Sequence, residues 1–262
     1  MIESWIDLPA PAVFAVLTAL YAATGAAIVW AAFGRPLHAS VRRFDGVVAP
    51  FFNAVAILFA LMAGFLASDI ADRNRQAGRA VQTEAAELRN IFTLSVASQP
   101  DMAAIRADWT DYVKAVSHDE WPAMADGDSA PSADKAFDAL LRELSEPAMA
   151  ANAGPAVSAA LINAAMRVSS ARSERLSLAS DSTSELKWSI VLILGIMTQV
   201  AIGAVHLQKR NAQVAALVVF SVAAVLALGL VALQEHPFSG AVRVGPEPLI
   251  DLLKLQGPNG GT

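Results

Sequence analysis

Residues 49–98, APFFNAVAILFALMAGFLASDIADRNRQAGRAVQTEAAELRNIFTLSVAS, open with a run, Ala49 to Ser68, that holds no Asp, Glu, Lys or Arg, and continue as a polar repeat. A helix needs about 20 apolar residues to cross the hydrocarbon core of a bilayer, and a spanning backbone must satisfy its own hydrogen bonds. The first part therefore reads as a transmembrane helix. No Gly or Pro stands between Phe65 and Ala77, so the span and the repeat are expected to form one rod from about Ala49 to Ser98.

Three more runs are equally free of charge: Pro11 to Phe33, Trp188 to Leu207 and Ala212 to Leu233. Between the two pairs lies a long hydrophilic stretch, Asp69 to Lys187. With 55% hydrophobic residues and a mean hydropathy of +0.46, the expected fold is all-α: a polytopic membrane protein with four transmembrane helices and a helical soluble domain inserted between the second and third. The expected organisation is residues 1–68 as the first helix pair, 69–187 as the soluble domain, 188–233 as the second pair and 234–262 as a tail. Glu3 and Asp7 precede the first run where a cleaved signal would carry basic residues, so that run is expected to remain as a span.

The net charge of −5 and pI near 5.4 leave no basic patch for nucleic acid. The absence of cysteine excludes disulfides, thiolate metal sites and Cys nucleophiles. Lys and Arg in short loops tend to stay in the cytoplasm. Arg35, Arg42 and Arg43 in the first connection and Lys209 and Arg210 in the third then place both termini and the central domain on the outer side of the membrane. Arg73, Arg75 and Arg79 argue the other way, although charges beside a long translocated domain count for less.

Ile70, Asn74, Ala77, Val81, Glu84, Leu88, Ile91 and Ser95 alternate spacings of four and three, the pattern of one helix face packed in coiled-coil fashion. Leu161, Ala165, Val168, Arg172, Arg175, Ala179 and Ser182 repeat it and are expected to run unbroken into the third span. If the two rods are antiparallel neighbours, with Ser68 and Trp188 at equal height, facing positions have numbers that sum to 256. Glu84 then meets Arg172, Val81 meets Arg175 and Leu88 meets Val168. A charge unpaired in such a seam is costly, so a Glu84–Arg172 ion pair is expected as a register device; the other reading is two long side chains that escape to solvent.

Pro100 is a favoured first helical residue and is expected to open a helix with a stripe of Met102, Ile105, Trp109, Val113 and Val116. A second short helix runs from about Ser132 to Leu144, with Phe137, Leu140, Leu141 and Leu144 inward. Asp126–Asp134 and Ala148–Pro155 read as surface loops. After the turn Gly245-Pro246-Glu247-Pro248, the apolar Leu249, Ile250, Leu252 and Leu253 are directed onto the soluble domain or onto an adjacent subunit.

Within the spans, Gly195, Gln199 and Gly203 recur every four residues and His206 lies near the helix end. Gln199 and His206 need partners, which a neighbouring helix, a lipid head group or water in a pathway would supply. No phosphate loop, nucleophile elbow or His-Glu-x-x-His is present, and nothing in the sequence calls for a cofactor or points to an enzyme. Asp69 and Asp72 could attract cations at a pore mouth, or simply be solvated near Arg73 and Arg75. His118-Asp119-Glu120 offers three adjacent ligand types, but adjacent helical positions point in different directions, so no metal site is expected.

Glu84-Ala85, the run Ile105 to Val113 (IRADWTDYV), Glu120-Trp121-Pro122, the pair Arg172 and Arg175, and His236-Pro237-Phe238-Ser239-Gly240 together resemble the bacterial bestrophin-like domain proteins, over nearly the whole chain from the second helix onward. The resemblance implies kinship with bestrophins, pentameric anion channels with four spans and a helical domain continuous with them, whose second helix lines the pore with an apolar aromatic neck. On that model Phe52, Val55, Phe59 and Met62, with Asn53, are the pore-lining candidates, since rings of apolar side chains can gate by dewetting. Close packing through the small face and lipid contact through the bulky face is the other reading of this helix. Two functions stand: a homo-oligomeric channel, with five subunits and anion conduction favoured by the resemblance, and a non-conducting membrane scaffold or sensor whose helical domain binds a protein partner.

Overall fold

The computed structural model describes residues 5, 8–34, 49–98, 101–125, 127–181, 183–240 and 242–256. Glu3, Asp7, Arg35, Arg42, Arg43, Pro100, Asp126 and Ser182, and the side chain of Phe51, lie outside the described residues. The described chain is helical, with no strand. In order it forms α1 (Ala10–Phe33), α2 (Ala49–Ala97), α3 (Ala103–Ala115), a π-helical turn (Val116–Glu120), α4 (Trp121–Met124), α5 (Pro131–Leu144), α6 (Pro147–Ala153), α7 (Pro155–Ser180), α8 (Glu185–Val205), α9 (Arg210–Ala232), α10 (Glu247–Ile250) and a 3-10 segment (Asp251–Gln256). Four of these helices, α1, α2, α8 and α9, are long and apolar enough to cross a membrane.

Two compact units emerge, one of residues 1–72, 183–235 and 240–242, the other of 73–182, 236–239 and 243–262. The first is built from α1, the first half of α2, α8 and α9. Its core joins Val13, Leu17 and Tyr21 of α1 with Leu66 and Ile70 of α2, Trp188 and Val191 of α8, and Leu228 of α9. The opposite faces stay apolar as well, as Ile193 and Val219 illustrate. Helices that are apolar all round suit hydrocarbon surroundings.

As expected, α2 runs unbroken from Ser68 through Asn74. The matching expectation for the third span is overturned, because α7 ends at Ser180 and α8 begins at Glu185. Asp181 is extended, and the Ser184 hydroxyl caps α8 by accepting from the Leu186 amide. Four consecutive residues with short side-chain oxygens, 181–184, offer the backbone local partners that compete with helix. The break is held from a distance by Glu235, which is buried. Its carboxylate accepts the Thr183 amide at 2.7 Å and the Trp188 indole N–H at 3.1 Å.

The second unit packs α3, α4, α5 and α7 on the second half of α2. The expected stripe of α3 is buried in full, from Met102 through Val116, and Trp109 donates to the Leu88 carbonyl at 2.8 Å. The expected loop Ala148–Pro155 is largely the helix α6. Pro147 at its first turn and an alanine-rich body favour helix, and Gly154, at φ +82°, ends it in a conformation that glycine reaches without strain. The C-terminal segment docks on this unit, with Leu249 and Leu252 fully buried in its core.

Candidate functional site

Five charged residues and one tyrosine meet inside the second unit. Glu84 of α2 accepts from Arg175 Nε at 2.7 Å and Nη2 at 3.1 Å, and from the Tyr112 hydroxyl at 2.8 Å. Glu120, on the π turn, accepts from Arg175 Nη2 at 2.7 Å and from Arg172 Nε and Nη2. Arg172 also donates to Asp134 at 2.6 Å, a carboxylate open to solvent. The side chains of Glu84, Glu120 and Arg175 are wholly buried. Two carboxylates thus face two guanidinium groups, with Asp134 at the rim.

Burial opposes the charge of both arginines, yet the facing Glu84 and Glu120 more than offset it and hold both guanidinium groups above their usual range. Burial, then the charge of Glu84, pushes the Tyr112 phenol well above its ordinary value. Tyr112 is therefore a neutral donor to Glu84. Trp121 lies under Arg175, with 5.2 Å from the guanidinium carbon to the ring centroid, a cation–π geometry. Phe238 meets the Trp121 ring edge to face at 5.7 Å.

The π turn explains how Glu120 reaches this site. Val116, Glu120 and Met124 are buried at intervals of four, whereas a regular helix would rotate each such step by about 40° away from the last. A wider turn absorbs that drift.

The expected Glu84–Arg172 pair is corrected, since Glu84 takes Arg175 and Arg172 takes Glu120 and Asp134. The observed pairs across α2 and α7 are Glu84–Arg175 and Glu87–Arg167. They depart from the 256 rule in opposite directions, because a guanidinium reaches a full turn either way. What selects the partner is a second carboxylate from a third element. Glu120 and Tyr112 enter the sequence reading only through the resemblance and a discounted metal site, and Asp134 only as a loop end, so none is expected beside the arginines, although one more step along the stripe Val113, Val116 lands on Glu120.

In the first unit Gln199 is fully buried and bonds three ways. Its Nε2 donates to the Tyr21 carbonyl and to Ser221 Oγ, both at 2.9 Å, and its Oε1 accepts from Thr24 at 2.5 Å. Gln199 thereby joins α1, α8 and α9 through interhelical hydrogen bonds. His206 lies at the end of α8, with Nδ1 2.9 Å from the Ile202 carbonyl. Asp69 pairs with Lys187. His118 Nδ1 lies near the Lys114 carbonyl, Asp119 accepts from Ser132, and Glu120 serves the arginines, so the three side chains diverge.

The pore-lining candidates divide between two faces of α2. Phe59 and Met62 pack against the core of their own unit, where Phe59 meets Phe220 at 5.6 Å. Phe52 and Val55 are half-buried on that same face, and Asn53 is exposed on the other. Phe52, Val55, Phe59 and Met62 thus share the face of α2 that turns toward their own unit. The outward face carries Ile57, Leu61 and Phe65, exposed by 65%, 48% and 59%, at intervals of four.

Fold and site define a helical membrane protein with four apolar helices and a buried ionic cluster in its second unit. The chain belongs to the bestrophin-like family, for the family model "Bestrophin-like domain" matches residues 19–249. A crystal structure of a membrane protein superposes with a TM-score of 0.73 at 11% identity, covering 91% of this chain and 96% of that one. Two structures of a bacterial bestrophin homologue from Klebsiella pneumoniae give TM-scores of 0.70 and 0.67 at 13% and 12% identity, each covering 92% of this chain and 94% of the other. No functionally curated protein matches the sequence. The residues that carried the resemblance come together in space: Glu84, Tyr112, Glu120, Trp121, Arg172, Arg175 and Phe238 form one cluster.

Proposed function

We propose that the chain is a subunit of a homo-oligomeric ion channel, with α2 of each subunit around the axis. The observation that carries this reading is the division of α2. One face is consumed by its own subunit, and the other leaves Ile57, Leu61 and Phe65 in a row. Around an axis that row stacks into apolar rings of the kind that gate by dewetting. Five subunits and anion conduction follow from the family resemblance, as does a water-exposed domain of residues 69–187. Lys209 and Arg210 favour termini and domain outside the inner membrane.

The test is direct because the chain has no cysteine. In proteoliposomes the protein should carry current under a chloride gradient. Ile57→Cys and Leu61→Cys should be blocked by a water-soluble thiol reagent, since the thiolate forms only where water reaches, while Phe59→Cys and Val219→Cys should not react. If neither chloride nor potassium gradients drive current, the scaffold reading takes the place of the channel.

A further inference from the structure

We propose that the furrow between α1 and α9 binds one anionic phospholipid, its phosphate at Arg210 and an acyl chain along the floor. The cavity holds about 960 Å³, at the upper end of the roughly 300–1,000 Å³ of ligand sites. Its floor on α1 is small, with Ala22, Gly25 and Ala26, and its wall on α9 is Val214, Val218 and Val222. From Arg210 to Leu226 it follows sixteen residues of α9, about 24 Å at 1.5 Å per residue. A furrow so long fits a hydrocarbon chain better than a compact ligand.

Its charge is confined to one end. Among the described residues Arg210 is the only charged one lining the furrow, and it is exposed, as is Lys209 beside it. Neither has a carboxylate partner among the described residues. Trp30 stands at the same end and is 58% exposed, the placement of an interfacial aromatic. Deeper in, Ser221 is already spent, donating to the Leu217 carbonyl and accepting from Gln199, and Thr18 and Tyr21 bring hydroxyls but no charge. The spans of a second copy offer no counter-charge, because the runs 11–33, 49–68, 188–207 and 212–233 contain no Asp or Glu. A phosphodiester supplies both the charge and the chain.

Native mass spectrometry of the delipidated protein with added phosphatidylglycerol or phosphatidylcholine of matched chains tests this. One phosphatidylglycerol per subunit should be retained, about tenfold in preference to phosphatidylcholine. Arg210→Gln should remove most of that preference, and Ala26→Phe should abolish retention of both. Ala23→Phe, exposed on the same helix but outside the furrow, should change neither. Equal retention of the two lipids, or phosphatidylglycerol binding that survives Arg210→Gln and Ala26→Phe, overturns the proposal. So does disulfide cross-linking of Ala26→Cys between subunits, which would show a second copy in the furrow.

Discussion

Replacing Arg175 with methionine is expected to cost about 3–5 kcal/mol of unfolding free energy, the range for removing one partner of a buried ion pair. Methionine approximates the aliphatic stem, so the loss is mainly one of charge. Glu84 would keep only the Tyr112 hydroxyl, and Glu120 only Arg172, with both carboxylates wholly buried. Adding Glu84→Gln should recover more than half of the loss, because the neutral amide still accepts from Tyr112 and no unpaired charge remains. Arg167→Ala is the control. Its pair with Glu87 lies at the surface, where ion pairs contribute little, so no clear change is expected. Denaturant unfolding in mild detergent, followed by helical circular dichroism, measures all three. An Arg175→Met protein as stable as Arg167→Ala would mean that the cluster does not bear on stability.

The legible parts of the sequence were those governed by local rules, and the misread parts were settled by distant partners. The unbroken α2 follows from helix-compatible residues across 65–77, and the α3 stripe follows from spacing alone. The break at 181–184 had a local signal in its run of short oxygen-bearing side chains. It was overlooked because the heptad count was carried through it, and its anchor, Glu235, lies some fifty residues away. The short helix α6 hid behind a small-residue composition that resembles a loop, although Pro147 and Gly154 mark its two ends. The faces of α2 could not be told apart, since both hold Phe and Leu. Which one turns inward is decided by contacts with other helices, such as that of Phe59 with Phe220. In the same way, Arg172 and Arg175 lie one turn apart and are interchangeable until Glu120 arrives from a third element.

The second large effect is expected at Gly195. A Cβ built there would collide with the Tyr21 hydroxyl, come within 3.0 Å of Tyr21 Cζ and lie 3.3 Å from Phe59. Tyr21 is fully buried, and its ring is edged by Phe220 at 6.2 Å, so it has little room to retreat. Overpacking of this kind costs about 1–3 kcal/mol, and Gly195→Val should exceed Gly195→Ala. The Tyr21 hydroxyl is also a buried group with no hydrogen-bond partner, so Tyr21→Phe alone should be neutral or stabilising. Combined with Gly195→Ala it should restore much of the lost stability, because the atom nearest the new methyl is gone. Gly64→Ala and Gly78→Ala meet open space and should instead stabilise α2 by up to about 1 kcal/mol through helix propensity. Thermal unfolding of the five single variants and the double variant in one detergent gives the coupling directly. If Gly195→Ala is harmless, or if Tyr21→Phe does nothing to relieve it, then α1 and α8 are not as closely packed at this crossing as the glycine implies.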